Sequence, residues 1–152
     1  MAENYTRKSE EALVEAQRLA IRRNHQELQP EHLLHFLFTQ KDSIPTSLIS
    51  TAGLDVSAVL KDIEVEIEKF PTVTGQSVEG KVYPSGRFNK LLVTALDEAK
   101  KLRDEYVSTE HFLLAALSLK QVRISGLTYA AALDGLKKIR GNQTVQDDNP
   151  EG

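Results

Sequence analysis

Residues 28–34 read Leu-Gln-Pro-Glu-His-Leu-Leu, and residues 107–113 read Val-Ser-Thr-Glu-His-Phe-Leu. The Glu-His pair recurs at a shift of 79 positions (110 − 31), and the same shift aligns apolar residues of the preceding segments: Leu13 with Leu92, Ala16 with Ala95, and Ala20 with Ala99. One constant offset over an amphipathic helix, a turn and a second helix indicates a helical unit written twice. Two such units can bury their apolar faces against each other, so we expect function at the seam between them.

The composition fits a soluble helical protein and excludes several function classes. The chain has 152 residues, 40% of them apolar and 27% charged, and a net charge of −3. No broad basic field exists to hold nucleic acid. Because the chain has no cysteine, it forms no disulfide and no thiolate zinc site. With no run of about 18 apolar residues and no signal-peptide pattern at Met1, we expect a cytoplasmic location and no membrane partner.

Apolar residues at helical spacing predict four helices in the first unit, about residues 6–70. Each helix begins near a residue that suits a helix N-terminus, because a capping oxygen or a proline ring compensates for missing backbone hydrogen bonds: Thr6, Pro30, Pro45 and Asp55. The first helix should cover about 6–24 and be followed by a turn at 26–29. The third should end near Gly53, which can adopt a left-handed conformation.

The second unit should be shorter than the first. Proline and glycine mark a linker over about 71–85, with a short extended piece at 81–83, and the second unit should cover about 86–140. Gly126 aligns with Gly53 at a shift of only 73 (126 − 53), so we expect the counterpart of the third helix to be shortened or distorted. From Asn142 onward only Val145 is apolar, which predicts a disordered tail or a linker.

The sequence offers no persuasive catalytic or metal site. It contains no phosphate-binding glycine loop and no nucleophile elbow. His32 and His35 could share a metal ion, but the second unit repeats only the first of them, as His111. The acid pairs Glu10-Glu11 and Asp97-Glu98 are more simply solvated helix faces. We therefore expect no catalytic residue, metal or cofactor in this chain.

Glu31 and Glu110 allow two interpretations. Each falls in the first turn of its helix, where the helix dipole and free N–H groups favour a negative charge. That role alone would explain both. Alternatively, the two acids form a pseudo-symmetric pair that meets basic or N–H groups of a bound peptide.

Longer stretches resemble the amino-terminal domain of Clp-family AAA+ chaperones, which carries a double Clp repeat. The resemblance covers about 4–140 and rests on Thr6 and three stretches: 11–20, 29–34 and 104–117. It implies an all-α fold, a pseudo-twofold duplication of a four-helix repeat. The domain would cover 1–143, and 144–152 would be a linker or tail toward an ATPase module. Residues 139–143 and 149–151 are similar to the segment that leads from this domain into the first ATPase module of ClpB-type disaggregases. The corresponding segment of ClpC- and ClpA-type unfoldases usually differs.

The resemblance also implies roles for particular residues. In ClpB-type domains, substrate engagement has been linked to the positions of Thr6, Asp104 and Glu110. In ClpC-type domains the glutamate of both repeats reads phosphoarginine, which would map onto Glu31 and Glu110. Simpler structural roles remain open: Thr6 as a helix cap, and Asp104 as support for the turn before the sixth helix.

The family presents an apolar groove between its repeats. Helical spacing places Leu91, Leu92 and Ala95 near it. Leu91 and Leu92 are adjacent on one helix, so at most one of them can point squarely into the core, and the other needs a different partner. This favours a groove at that position.

The resemblance implies a non-catalytic module that catches unfolded or aggregated polypeptide for an ATP-dependent disaggregase. The alternatives are an adaptor-binding domain of a ClpC- or ClpA-type unfoldase and a structural spacer. ATP would bind only in the ATPase modules, and the full-length protein would be a hexamer with a DnaK-type chaperone partner. Affinity should be micromolar or weaker, and the acids should favour basic segments.

Overall fold

The computed structural model describes residues 4–74 and 81–150. Within these ranges the chain forms seven α-helices and one pair of two-residue strands: α1 Arg7–Arg22, β1 Glu27–Leu28, α2 Pro30–Thr39, α3 Ile44–Thr51, α4 Val56–Glu68, β2 Tyr83–Pro84, α5 Gly86–Lys101, α6 Thr109–Ser118 and α7 Tyr129–Arg140. The predicted all-α duplication is confirmed. No helix in the described ranges combines the length and the apolar character needed to cross a membrane.

The first repeat has four helices and the second has three. A loop over 119–128 stands where the second repeat would carry its counterpart of α3. Two residues of this loop adopt positive φ, Lys120 at 56° and Gly126 at 90°, and a Cβ at Gly126 would come within 3.1 Å of the Leu54 side chain. The second repeat is shorter in sequence at this point and forms no counterpart of α3 over 119–128, so α7 follows directly after the loop.

The recurring Glu-His pair has a local structural cause. In each repeat the histidine is the third residue of its helix, and its Nδ1 accepts a hydrogen bond from the N–H of the capping residue. The Gln29 N–H lies 3.0 Å from Nδ1 of His32, and the Ser108 N–H lies 2.8 Å from Nδ1 of His111. The imidazole thus performs the task that Glu or Gln performs in the usual capping box.

Short extended segments of the two repeats pair with each other. Pro84, before α5, pairs with Leu28 in the first repeat, and Tyr5, before α1, pairs with Val107 in the second. Each pairing is followed by a 3.0 Å hydrogen bond, from Ser85 N–H to the Leu28 carbonyl and from Thr6 N–H to the Val107 carbonyl. The predicted turn at 26–29 therefore contains β1, because its partner strand comes from the other repeat.

One core spans both repeats, with α2 and α6 at its centre. Every residue from Thr109 to Leu117 is buried, so α6 has no solvent face over that length. The largest fully buried side chains come from both repeats and include Leu33, Ile49, Phe112 and Leu136. A shared core of this kind fixes the relative position of the repeats.

Residues 142–150, here called the strap, fold back onto the second repeat. The Val145 side chain is 5% exposed, and its N–H donates to Asp104 Oδ1 at 2.8 Å. The Val145 carbonyl accepts from Glu105 N–H at 2.8 Å, and the Asp148 carbonyl accepts from Arg7 N–H at 2.7 Å. Residues 142–150 are therefore docked on the domain and not a disordered tail, the linker alternative of the sequence analysis stays a prediction, and 151–152 lie outside the described residues. Composition missed the contact because the strap docks mainly through its backbone.

A shorter return follows α4 in the first repeat. The Val73 N–H donates to the Asn24 carbonyl at 2.9 Å, and Phe70 packs against the turn after α1. Extended backbone is found at Tyr83–Pro84, close to the piece expected at 81–83. The middle of the predicted linker, 75–80, lies outside the described residues.

Candidate protein-binding site

Asp104 and Glu110 share one arginine from the end of α7. The Arg140 Nη1 donates to Asp104 Oδ2 at 2.7 Å, and its Nη2 donates to Glu110 Oε2 in a short hydrogen bond. Asp104 Oδ2 also lies 2.6 Å from His111 Nε2. Burial raises the pKa of Asp104, but hydrogen bonds from His111, the Val145 N–H and Arg140 outweigh it, so the pKa lies below its usual value. Asp104 is therefore an ionised, buried carboxylate.

Thr6 lies beside the same turn. Its Oγ1 accepts from Ser9 N–H at 3.2 Å and so caps α1, while its own N–H joins the α5–α6 turn through Val107. The structure thus brings Thr6, Asp104 and Glu110 to one side of the domain. All three are buried, at 0%, 7% and 1% exposure. Because these three side chains are buried, they can influence a bound partner only indirectly, by holding the neighbouring surface residues in position.

Glu31 is paired in the same manner on the opposite side of the pseudo-twofold. Arg87 of α5 binds it with two hydrogen bonds, Nη1 to Oε1 at 3.1 Å and Nη2 to Oε2 at 3.0 Å. The Arg87 side chain is 42% exposed and crosses the seam between the repeats. Each of the two pseudo-symmetric glutamates therefore already holds a guanidinium of its own chain.

The groove predicted on α5 is not open at the residues named for it. Leu91 and Ala95 are both 0% exposed and belong to the core, because their spacing of four puts them on the inner stripe of α5. Leu92 is half-buried, and its neighbour Val93 is 62% exposed. The placement of a groove at Leu91 and Ala95 is therefore wrong, and only Leu92 lies near an exposed apolar surface.

An open cleft does lie on the seam, in a different place. We call it the seam cleft: about 280 Å³ between the α2–α3 turn, the first turn of α1 and the start of α6. Its walls are mainly apolar, and its rim carries both signs of charge and the end of the strap: Phe36, Leu37, Ile44, Pro45, Lys8, Lys41, Asp42 and Pro150. Phe36 and Ile44 are only half-buried although large and apolar. In the sequence, the only sign of this cleft is that Phe36 and Ile44 are apolar but do not fall on the helical spacing of the core residues.

A second cleft of about 500 Å³ lies at the other end of the seam, between α4 and the 119–128 loop. Glu31 is at its base. Charged side chains lie on both of its walls, Asp62 and Glu66 on α4 and Lys120 and Arg123 on the loop, beside the apolar side chains of Ile63, Val65 and Val122. It therefore offers charged contacts of both signs as well as apolar ones.

Comparison with known proteins gives the family. The sequence model of the Clp repeat (R) N-terminal domain matches residues 4–128. This chain belongs to that family. The Clp N-terminal domain described here is 40% identical over 153 aligned positions to the chaperone protein ClpB of Bacillus anthracis, covering 96% of this chain and 18% of that protein. The chain thus spans less than a fifth of the length of the curated relatives it matches. The predicted resemblance to ClpB-type domains is confirmed.

Solved structures share the fold. The Hsp104 N-terminal domain from Candida albicans matches with a TM-score of 0.81 and 21% identity, over 98% of this chain and 99% of that one. A complex of the ClpV N-domain with VipB peptide matches with a TM-score of 0.69 and 20% identity, over 97% and 92%. Both therefore have the arrangement of helices found in this Clp N-terminal domain.

The first repeat of this Clp N-terminal domain carries a histidine pair where the second carries Asp104 and His111. His25 Nδ1 lies 2.9 Å from His32 Nε2, and Phe70 packs on both rings with centroids 5.5 and 5.4 Å away. Burial lowers the pKa of His32 to about 3, with His25 adding to the effect. Among residues 4–74 and 81–150, no three potential ligand side chains gather as a metal site would require.

We expect the stability of this Clp N-terminal domain to fall with acidification because of His32. The pKa of His32 is about 3 in the folded domain and about 6.5 in the unfolded chain. At a pH between these two values, His32 is protonated in the unfolded chain and neutral in the folded domain. Between pH 7 and pH 5 the free energy of unfolding should drop by about 2 kcal/mol from this residue. Urea titrations at both pH values should show a smaller drop in His32→Gln. Ile67→Val, a mildly destabilised control, should keep the full drop.

Proposed function

We propose that this domain is a protein-binding module that engages exposed segments of unfolded or aggregated polypeptide for an ATP-dependent disaggregase. Family membership and the ClpB relatives support the chaperone context. The VipB peptide bound to a ClpV N-domain of the same fold supports a peptide as ligand. We extend the proposal to the parent protein: a cytoplasmic hexamer whose ATPase modules, absent from this chain, act with a DnaK-type chaperone.

The seam cleft carries the proposal. It joins both repeats, and the half-buried apolar side chains of Phe36 and Ile44 have room beside them for one or two apolar side chains of a partner. Full burial of one such side chain stabilises a complex by roughly 1.5–3 kcal/mol, which limits affinity to the micromolar range or weaker after the cost of ordering a flexible segment. A weak site of this kind can release its cargo to a downstream ATPase.

Electrostatics at the seam cleft do not depend on the acids that the sequence analysis expected to favour basic segments. Asp104 and Glu110 are both paired with Arg140 and do not line the cleft, whose rim includes Lys8, Lys41 and Asp42. Apolar content should therefore decide binding, and a strong preference for basic segments is not required.

Adaptor binding is the second candidate function. The charged cleft beside α4 favours it, because a folded partner can present fixed charges that match Asp62, Glu66 and Arg123. We therefore assign unfolded segments to the seam cleft and folded partners to the cleft beside α4.

We expect Phe36→Ser and Ile44→Ser each to weaken binding of an apolar peptide about tenfold, since each removes roughly 1.5 kcal/mol of apolar contact. The probe is a short, capped peptide of alternating Leu, Ser and Lys, titrated by NMR against the full chain. Val93→Ser, an exposed valine on α5, is the matched control and should bind like the unaltered domain.

Two results would count against this proposal. One is uniform small shifts over the whole surface, and the other is an equal loss of affinity in Val93→Ser. Binding of a folded partner that survives Phe36→Ser but is lost in Asp62→Lys would support the adaptor function at the cleft beside α4.

A further inference from the structure

We propose that the surface beneath residues 145–148 is a docking site for extended segments of other chains, and that the strap is a segment of the domain's own chain that occupies this site. The segments that fit carry a β-branched side chain in the place of Val145, and an acid three residues later, as in Asp148, makes only a minor contribution. A partner enters when the strap leaves. This inference rests on the proposed function, because it names a second contact surface of the same module.

The strap uses the contacts that any extended segment can make. Both backbone polar groups of Val145 are bound: its N–H donates to Asp104 Oδ1 and its carbonyl accepts from the Glu105 N–H, each at 2.8 Å. Three residues later the Asp148 carbonyl accepts from the Arg7 N–H, in the first turn of α1. Backbone hydrogen bonds of this kind provide affinity without regard to sequence, while a single side-chain socket selects one residue.

The side-chain contribution is small. Of the strap residues only Val145 is buried, and the others are exposed. The ion pair between Arg7 Nε and Asp148 Oδ2 is 3.5 Å long, with side chains 68% and 52% exposed, so it adds little. One buried valine and three backbone hydrogen bonds must offset the ordering of the whole segment. A strap held this weakly can open while the domain stays folded.

Opening does not require breaking the buried ion pairs. Arg140 is the last residue of α7 and holds Asp104 and Glu110 from its own position. Gly141, at φ 63°, ends the helix and redirects the chain into the strap. The strap can therefore swing away about Gly141 while Arg140 remains in place.

The vacated surface would be continuous with the seam cleft. Pro150, near the end of the strap, borders that cleft, and Lys8 lies beside Arg7 on its rim. Arg7 pairs with Asp148 of the strap, and Lys8, the next residue, lines the seam cleft. A longer partner could place its valine in the Val145 socket, its acid near Arg7, and an apolar side chain further along in the seam cleft.

The test compares Val145→Gly with Thr144→Gly in the full chain. Both add a glycine to the strap, but only the first empties the socket, since Thr144 is exposed. The probe is a capped, dye-labelled peptide with the sequence of residues 142–150, measured by fluorescence anisotropy. We expect the peptide to bind Val145→Gly about five- to tenfold more tightly than Thr144→Gly, because the competing strap no longer fills the site. The peptide with glycine in place of its valine should not bind.

Amide hydrogen exchange locates the binding. The Glu105 and Arg7 amides should lose protection in Val145→Gly and regain it when the peptide is added, while the Leu28-bonded amide of Ser85 stays unchanged. Equal affinity for both variants, or peptide binding that leaves Glu105 unprotected, would overturn the docking site. If the Leu-Ser-Lys peptide still bound and responded to Phe36→Ser, the proposed function would stand without it. If the strap peptide bound and the Leu-Ser-Lys peptide did not, the docking site would stand and the unfolded-chain function would fall.

Discussion

Replacing Arg140 by alanine is expected to lower the free energy of unfolding by about 3–5 kcal/mol. The Arg140 side chain is 9% exposed, and its two acids are buried at their carboxylates. Removing one partner of a buried ion pair leaves uncompensated charge in a region of low dielectric, which costs far more than a surface pair is worth. Urea denaturation followed by circular dichroism measures the change.

Glu110 should account for most of this loss. Asp104 keeps His111 and the Val145 N–H as partners, whereas Glu110 Oε1 is buried without a hydrogen bond to any residue that the structure describes, and Arg140 is the ion-pair partner of Oε2. Adding Glu110→Gln to Arg140→Ala removes the unpaired charge and should recover part of the stability. A double variant no more stable than Arg140→Ala would show that Glu110 is not the source.

Two further arginine and lysine variants act as controls. Lys138→Ala lies on the same helix with its side chain 76% exposed and should change stability by less than about 0.5 kcal/mol. Arg87→Ala removes the counterpart pair with Glu31, but Arg87 is 42% exposed, so water can replace it and the loss should be about 1 kcal/mol. Equal losses of stability for Arg87→Ala and Arg140→Ala would contradict the description of Arg140 and its two acids as a buried ion pair.

Local signals in the sequence predicted the helices well. The repeat offset, the capping residues Thr6 and Asp55 and the left-handed Gly53 each depend on a few neighbouring positions, and the structure has all of them. The shortened second repeat was also visible, as the change of offset from 79 to 73 (126 − 53). The complete loss of a helix there was not, because a loop and a distorted helix can have the same length.

The site depends on contacts between distant parts of the chain. Arg140 is an ordinary basic residue in a last helical turn, and nothing in its spacing shows that it meets Asp104 and Glu110. The strap was misread for the same reason, since Val145 has no apolar neighbours to form a pattern. Glu31 and Glu110 are first-turn acids, as the simpler interpretation held, and each also forms an ion pair with an arginine far along the chain.

Leu91→Ala is expected to destabilise the domain by about 2–5 kcal/mol. Leu91 is 0% exposed on the inner stripe of α5, so truncation removes apolar contacts and leaves a cavity that the shared core cannot fully close. A residue lining an open groove would behave in the opposite way, with little change in stability and a clear loss of peptide affinity. Thermal or urea unfolding together with peptide titration separates the two cases.

The neighbouring positions on α5 provide matched controls for Leu91→Ala. Leu92→Ala, at a half-buried position, should cost about 1 kcal/mol, and Val93→Ala, 62% exposed, should cost almost nothing. Affinity for the Leu-Ser-Lys peptide should be unchanged in all three variants under conditions where each is folded, because the seam cleft lies elsewhere. A stable Leu91→Ala domain with weakened binding would return the binding surface to α5, since only a side chain that touches the ligand can lose affinity without losing the fold.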